Sequence, residues 1–224
     1  MGRIKAANSA FSEIYNKDVW ALDSGEWHAQ QAGYEPLESC YARFVALLQD
    51  FMRHNRVRSV VEFGCGFWSY AREIDWSGIE YDGFDIVDGP VRWNRDHHGA
   101  DNIRFHRLED GTRLPPADLL ISKDVLQHLP IADIRYYTDI FRRNYRFSII
   151  ASGVFPDHDT NSEIAPGECR SLRLDLPPFD IPCAVLQRWE YIEFGKPVVK
   201  DVCLVTGLPE SAAAGGAIVR DVDA

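Results

Sequence analysis

The feature that most constrains the fold is an apolar run that ends in an acid and two glycines. Residues 60–68 have the sequence Val-Val-Glu-Phe-Gly-Cys-Gly-Phe-Trp. A short apolar run of this kind predicts a buried strand, and glycine accepts the positive φ angles of a tight turn. We therefore expect a first strand over residues 59–63, followed by a turn at Gly64 and Gly66 whose backbone can approach a ligand closely.

A second strand-like run ends in an acid that lies close to the glycine turn in the predicted sheet. Residues 81–86 form this run, and Asp85 follows Gly64 at an interval of about 20 residues, the offset at which a carboxylate meets the ribose of a bound nucleotide. Asp85 is therefore predicted to accept hydrogen bonds from ribose hydroxyls. The alternative is that Asp85 only caps a helix.

Strand and helix patterns alternate along most of the chain. Further strands are predicted at residues 103–108, 117–122 and 147–151, and helices at residues 36–54, 70–74 and 131–144. This alternation favours a parallel sheet with right-handed crossovers. Residues 187–194 and 198–206 are typical of an antiparallel hairpin. The predicted fold class is α/β, a Rossmann-like, seven-stranded, mostly parallel sheet with a terminal antiparallel hairpin and helices on both faces.

The same patterns divide the chain into three parts. Residues 1–35 are expected to form an N-terminal helical lid, and residues 36–207 the main domain. Within that domain, residues 156–182 are rich in proline and charge, so we interpret them as an insertion too polar for the core that serves as a lid or substrate loop. Residues 208–224 are expected to be a poorly ordered tail.

Charge and hydropathy exclude several classes of partner. The 24 basic residues are outnumbered by 34 acidic ones, and the net charge of −10 disfavours nucleic acid or an anionic membrane as the main partner. No apolar run approaches the roughly 20 residues that span a bilayer, and the N-terminus lacks the layout of a secretion signal. We expect a cytoplasmic protein whose partner is a small molecule or another protein.

The cysteines and histidines do not predict a metal site. The five cysteines are odd in number, widely spread and never paired as C-x-x-C, which favours reduced thiols. His97 and His98 are neighbours, and no second ligand pair stands at a familiar spacing. We expect them to lie in a solvated loop.

Five motifs stand in an order that resembles a known family. They are Glu62-x-Gly64-x-Gly66, Asp85, Asp110-x-x-x-Leu114-Pro115, the sequence Ser-Lys-Asp-Val-Leu-Gln-His-Leu at 122–129, and the terminal hairpin. This ordered set resembles the class I S-adenosylmethionine-dependent methyltransferases over residues 36–207, and bacterial small-molecule methyltransferases in particular. The sequence departs from the family pattern at Trp68, which stands where a third glycine is usual.

The resemblance implies a cofactor, a reaction and a set of binding residues. The cofactor would be S-adenosylmethionine, and the reaction methyl transfer to oxygen or nitrogen of a small metabolite such as a sugar or glycan precursor. The implied cofactor-binding residues are Glu62, Gly64, Gly66, Asp85, Asp110, Gly111 and Ser122. The glycine turn would present N–H groups at a helix N-terminus to the methionine end, and Asp110 would accept from the adenine amino group. Asp110 and Gly111 also form an ordinary turn dipeptide.

Asp124 and His128 are the candidate catalytic residues. They are four positions apart, so on a helix they would share a face, and the carboxylate would orient an imidazole that acts as a base. The alternative is that Asp124 and Gln127 form a capping box while His128 bonds a backbone carbonyl.

A polar segment and an aromatic segment are weaker candidates for the acceptor site. The polar candidates are Asp157, His158, Asp159, Asn161, Arg170 and Arg173, and the aromatic candidates are Tyr15, Trp20 and Trp27. A solvated charged loop and ordinary packing explain these two sets equally well.

Two other functions stay open on the sequence alone. The first is a nicotinamide-dependent Rossmann oxidoreductase, since Gly64, Gly66 and Ser69 nearly match the dinucleotide-binding pattern. The second is a non-catalytic member of the methyltransferase fold that binds the nucleoside without turning it over.

Overall fold

The computed structural model describes residues 3–16, 37–193 and 196–207. Within these ranges the α-helices are α1 (Arg3–Asn16), α2 (Leu37–Asn55), α3 (Asp88–His98) and α4 (Ile131–Asn144). The strands are β1 (Ser59–Phe63), β2 (Glu80–Asp85), β3 (Ile103–Arg107), β4 (Ala117–Lys123), β5 (Tyr145–Val154), β6 (Ala184–Glu193) and β7 (Lys196–Thr206).

These strands form one sheet in the order β3-β2-β1-β4-β5-β7-β6. The first five are parallel to one another, and β7 is antiparallel to both β5 and β6. This arrangement confirms the predicted fold class, including the terminal hairpin. An open dinucleotide-binding sheet has the order 3-2-1-4-5-6, so the antiparallel strand between β5 and β6 counts against the oxidoreductase alternative.

Helices cover both faces because each presents an apolar stripe to the sheet. On one face, Phe44 and Leu48 of α2 are fully buried at the spacing that the sequence predicts, in a cluster that also includes Val91 of α3. On the other face, α4 packs with Ala7 and Phe11 of α1. The ligand-bearing edge of such a sheet lies at the carboxyl ends of its parallel strands.

The interpretation of residues 156–182 as too polar for the core was wrong. Leu172, Leu174, Phe179 and Ile181 are buried in the same cluster as α4. Their apolar side chains lie between prolines and charged residues, so the sequence shows no regular period. The segment is nevertheless an integral layer over one face of the sheet.

Two predictions about helices were also wrong. His97 and His98 lie in the last turn of α3 rather than in a loop. The helix expected at residues 70–74 is only a 3₁₀ turn over Ala71–Glu73. Both errors concern the connections that flank β2.

Some expectations fall on parts of the chain that the structure does not describe. Trp20 and Trp27 lie outside the described residues, as does the tail at 208–224, and the side chain of Tyr15 is likewise not described. Among the described helices, none is long and apolar enough to cross a membrane. Among the described residues, no group of three or more potential metal ligands occurs.

Candidate functional site

The glycine turn after β1 lies directly beside the end of β2. Phe63 pairs with Phe84 in the parallel ladder, so Gly64 and Asp85 come next on neighbouring strands. Gly64 and Gly66 have φ angles of +84° and +49°, which L-residues with side chains rarely adopt. The N–H of Gly64 donates to the carbonyl of Phe84 at 2.7 Å.

Asp85 fixes this turn through its side chain. Its Oδ2 accepts from the Gly66 N–H at 2.9 Å, and its Oδ1 accepts from the Val87 N–H at 2.9 Å. Burial raises the pKa of Asp85, and the hydrogen bonds from Val87 and Gly66 oppose that rise. The structure therefore brings the predicted ribose-binding acid and the glycine turn into contact, at a buried position.

The turn does not lead into a helix, contrary to the sequence prediction. Trp68, at the place of the usual third glycine, has a φ angle of +61° and a buried side chain. Its ring lies 5.5 Å from that of Tyr81 and 5.3 Å from that of Phe105, centroid to centroid. Because the chain folds back into this aromatic cluster, no helix N-terminus faces the ligand edge at the turn.

Glu62 is fully buried one residue before the end of β1. Each of its carboxylate oxygens accepts a hydrogen bond from a phenol, Oε1 from Tyr70 and Oε2 from Tyr81. Burial raises the pKa of Glu62 to about 7, against the lowering effect of the two phenols and of Lys123. In this arrangement Glu62 holds the segment after the turn against the sheet.

Asp110 and Gly111 lie in a tight turn after β3. The Thr112 N–H donates to the Glu109 carbonyl at 2.9 Å, and the Glu109 N–H donates to the Thr112 hydroxyl at 2.9 Å. Gly111 has a φ angle of +93°, and both Asp110 and Gly111 are exposed. Asp110 and Gly111 therefore form the ordinary turn that the sequence analysis gave as an alternative. This turn lies at the same edge of the sheet as Asp85.

Three charged residues lie together where β4 ends. We call Lys123, Asp124 and Lys200 the charged triad. One oxygen of Asp124 meets the Lys123 ammonium and the other meets the Lys200 ammonium. Burial raises the pKa of Asp124, but the two lysines outweigh it and hold that pKa well below its usual range. Ser122, just before the triad, has a buried hydroxyl with no hydrogen-bond partner among the described residues.

The predicted helical pairing of Asp124 and His128 does not form. Asp124 has a φ angle of +58° and precedes a 3₁₀ turn over Leu126–His128, so the two residues do not share a helix face. His128 Nδ1 lies 3.0 Å from the Glu168 carbonyl, as the alternative interpretation expects. Burial lowers the pKa of His128 to about 4.

The neighbours of His128 fix its protonation pattern. Gln127 Oε1 accepts from the Gly153 N–H at 2.7 Å, which turns the amide nitrogen of Gln127 toward His128 Nε2, 3.4 Å away. A carbonyl on one side and an amide N–H on the other favour a neutral imidazole with its proton on Nδ1. His128 thereby links the segment after β4 to the segment around Glu168.

The polar candidates of residues 156–182 divide into exposed and buried groups. Asp157, His158 and Asp159 are exposed. Asn161 is buried and donates to the Arg173 carbonyl at 2.8 Å, and Arg170 is almost completely buried. The last two hold the segment in place.

Sequence reasoning missed three side chains that shape this edge. Asn8 of α1 donates to the Ile86 carbonyl at 3.0 Å, Asn94 of α3 donates to the Gly66 carbonyl at 2.7 Å, and Lys200 completes the charged triad. No local motif marks any of them. Only the amphipathic pattern of residues 3–16 signals that α1 packs near β2.

The residues at this edge suit a nucleoside cofactor. A carboxylate offers about four lone-pair sites, so Asp85 can accept two hydroxyls in addition to its two backbone N–H donors. The buried Ser122 hydroxyl adds a polar group without a described partner.

Comparisons with known proteins agree with the topology. No protein-family model matches the sequence, and no curated protein is detectably similar to it. Among solved structures, magnesium protoporphyrin IX methyltransferase from Synechocystis PCC 6803 with bound SAM is 12% identical, with a TM-score of 0.59, over 89% of this chain and 97% of that chain. The DhpI–SAH complex is 15% identical, with a TM-score of 0.58, over 92% of this chain and 98% of that chain.

A third similar structure contains both a small-molecule ligand and S-adenosylhomocysteine. It is Burkholderia thailandensis 1,6-didemethyltoxoflavin-N1-methyltransferase with bound 1,6-didemethyltoxoflavin and S-adenosylhomocysteine. Its identity is 14% and its TM-score 0.59, over 90% of this chain and 88% of that chain. The chain described here has the fold of the class I S-adenosylmethionine-dependent methyltransferases.

Proposed function

We propose that this chain is an enzyme that transfers a methyl group from S-adenosylmethionine to oxygen or nitrogen of a small-molecule acceptor. The observation that carries the proposal is the contact between Asp85 and Gly66 at the carboxyl edge of a methyltransferase-type sheet. An acid at the end of β2 beside a glycine turn at the end of β1 is the arrangement that holds a nucleoside.

Several residues would hold the cofactor. Asp85 would accept the ribose hydroxyls, and the exposed turn of Asp110 and Gly111 would meet the adenine. The backbone of the turn at Gly64 and Gly66 would meet the methionine part, and Glu62 would act indirectly by fixing the chain after the turn through Tyr70. When bound, S-adenosylmethionine supplies a sulfonium methyl group that an oxygen or nitrogen nucleophile can attack in line.

The chain's contribution to the rate would come mainly from positioning. Holding two reactants in line is worth up to about 7–11 kcal/mol, and a base is needed only where the acceptor must lose a proton. His128 is the candidate base, because burial keeps its imidazole neutral at neutral pH; to take a proton, its Nε2 would have to exchange the Gln127 amide, 3.4 Å away, for the acceptor. Asp124, held by two lysines, would order the same edge rather than orient His128.

The experiment is turnover by the 224-residue chain with a panel of hydroxylated sugars and amines. Formation of S-adenosylhomocysteine, measured by mass spectrometry, is expected with at least one acceptor and is expected to fall strongly in Asp85→Asn. Binding of S-adenosylmethionine without turnover of any acceptor would favour the non-catalytic member of the fold. Failure to bind S-adenosylmethionine would overturn the proposal.

A further inference from the structure

The terminal hairpin brings two cysteines together from its two strands. Cys203 is in β7 and pairs with Val185 of β6, and Cys183 directly precedes β6. Side chains alternate between the two faces of a strand, so Cys183 shares a face with Val185 and with Cys203, the partner of Val185. The two thiols therefore stand diagonally opposite each other across the hairpin.

The packing of the two cysteines agrees with this register. Cys183 packs against the apolar cluster that contains Leu172 and Leu174. Cys203 lines a small cavity together with the same two leucines. Both cysteines therefore adjoin the layer that residues 156–182 form over this face of the sheet.

The two thiols also interact with each other. A hydrogen bond between their side chains lowers the pKa of Cys183 and raises the pKa of Cys203, while burial raises the pKa of both thiols. Arg173 further lowers the pKa of Cys183, and Asp175 and Asp201 oppose that change. Cys183 is therefore the thiol of the pair that ionises first, and the thiolate is the nucleophile in disulfide chemistry.

The pair lies at a position that a small molecule can reach. Cys183 and Cys203 are free thiols of intermediate exposure, and the chain neighbours of Cys183, Pro182 and Ala184, are exposed. Cys65, in contrast, is buried. A partly exposed thiol beside a second thiol is the arrangement found at redox-sensitive cysteines.

We propose that Cys183 and Cys203 form a reversible modification site, at which a small disulfide such as glutathione disulfide oxidises the two thiols to an intramolecular disulfide bond. The Cys183 thiolate, whose proton has gone to solvent, attacks one sulfur of the small disulfide. This step gives a mixed disulfide and releases one small thiolate, which takes up a proton.

The second step closes the bond within the chain. The Cys203 thiol loses its proton, and its sulfur attacks the Cys183 sulfur and releases the second small thiol. Two protein thiols and one small disulfide thus give one protein disulfide and two small thiols, so that no other oxidant is needed.

The bond would join the start of β6 to β7. The same strand β7 carries Lys200, which meets Asp124 at the edge that holds the glycine turn. The bond would therefore fix the hairpin that brings a charged side chain to the candidate site. The inference does not depend on methyl transfer, because it concerns only the two thiols and their surroundings.

The test is peptide mapping of the 224-residue chain after incubation with glutathione disulfide. The remaining thiols are alkylated, and the chain is digested with trypsin without reduction. Trypsin cuts after Arg188 and Lys200, so the two cysteines fall on separate peptides. Mass spectrometry should find these peptides linked in material that runs as a monomer, and dithiothreitol should reverse the link. Two free thiols, mixed disulfides with glutathione as the only product, or links between chains would overturn the site.

Thermal unfolding separates a bond that fits the native fold from one that forms in a distorted chain. Closing a loop of about 20 residues should raise the midpoint temperature of unfolding by about 6–12 °C in the oxidised sample. Cys183→Ser should lose both the link and the rise, whereas Cys169→Ser changes another thiol of intermediate exposure and should keep both. A lower midpoint in the oxidised wild type, or an unchanged rise in Cys183→Ser, would overturn the site.

Cys203→Ser provides a second variant if Cys183→Ser does not fold. It keeps the attacking thiol and removes its partner, so the first step can occur but the second cannot. We expect a stable mixed disulfide of Cys183 with glutathione and no link within the chain. An unmodified Cys183 in this variant would show that Cys183 does not attack the small disulfide, and it would overturn the proposal.

Discussion

The turn after β1 and the segment after β4 lie side by side at one edge of the sheet, yet they are held in different ways. The turn is fixed by its neighbour in the parallel ladder, with Gly66 bonded to Asp85. The segment after β4 is fixed by residues far along the chain, with His128 bonded to Glu168 and Asp124 to Lys200. Partners on paired strands follow from strand pattern and register, whereas partners from distant loops do not.

Gly64→Ala is expected to have the largest effect, because Gly64 is where the two regions touch. A methyl group there would overlap Val125, and the φ angle of +84° disfavours a side chain. We expect a loss of about 3–5 kcal/mol in unfolding free energy, from backbone strain and overpacking together. Chemical denaturation measures it.

Gly111→Ala is the matched control for that change. Gly111 has a similar φ angle of +93°, but nothing lies within 4 Å of an added Cβ. The Gly111→Ala variant should lose only the unfolding free energy that comes from backbone strain, about 1–2 kcal/mol. Adding Val125→Ala to Gly64→Ala should recover part of the lost unfolding free energy. Equal losses in Gly64→Ala and Gly111→Ala would show that the turn after β1 and the segment after β4 are not in close contact.

Asp85→Asn should have the next largest effect, on cofactor affinity, and it also removes one of the two side-chain acceptors that hold the turn. We expect affinity for S-adenosylhomocysteine to fall about 100-fold, since two hydrogen bonds to a charged group are each worth roughly 1.5 kcal/mol or more. Calorimetry measures the affinity. Asp82→Asn is the control, because Asp82 lies on the opposite face of β2 and bonds Arg104 and His106. Unchanged affinity in Asp85→Asn would contradict the ribose role.

His128 gives the segment after β4 a pH-dependent stability. Its pKa is lowered to about 4 in the folded chain, from about 6.5 when unfolded, so the unfolded state binds the proton first. The stabilising contribution is therefore present above pH 6.5 and is lost as the pH falls toward 4, by about 2–3 kcal/mol. Unfolding free energies at several pH values should show this slope.

His128→Ala and His97→Ala together test that assignment. The slope should be absent in His128→Ala and present in His97→Ala, since His97 is on α3, where its ring bonds the Trp93 carbonyl of its own helix. The pKa of Glu62 is raised to about 7, so between pH 4.5 and 7 this residue makes the unfolding free energy rise as the pH falls, opposite to His128. The quantity to compare is therefore the difference in slope between the wild type and each variant. An identical slope in His128→Ala would show that His128 is not buried as a neutral group.

Asp110→Asn should have the smallest effect. Asp110 is exposed, so one hydrogen bond to an adenine amino group would contribute about 1 kcal/mol, or roughly fivefold in affinity. Calorimetry with S-adenosylhomocysteine and with S-inosyl-L-homocysteine, which lacks the amino group, separates the two roles. Wild type and variant should differ with the first ligand and agree with the second, and a difference with both would mean that the change only alters the turn.

The sequence predicted the central strands and the pairing of Asp85 with the glycine turn, because a buried parallel sheet has a clear apolar pattern. It did not predict α3, whose residues 88–98 are polar and include Gly89 and Pro90. The interpretation of residues 156–182 as too polar for the core was wrong, because their apolar residues, such as Leu172 and Phe179, have no regular spacing. The sequence analysis also missed Lys200, because Asp124, the partner of Lys200, is distant in the sequence and no motif contains both residues.

The most direct test of the central claim is calorimetry of the wild-type chain with S-adenosylmethionine and, separately, with NAD. We predict saturable binding of S-adenosylmethionine, displaced by S-adenosylhomocysteine, and no binding of NAD. Binding of NAD in the absence of any response to S-adenosylmethionine would contradict the account.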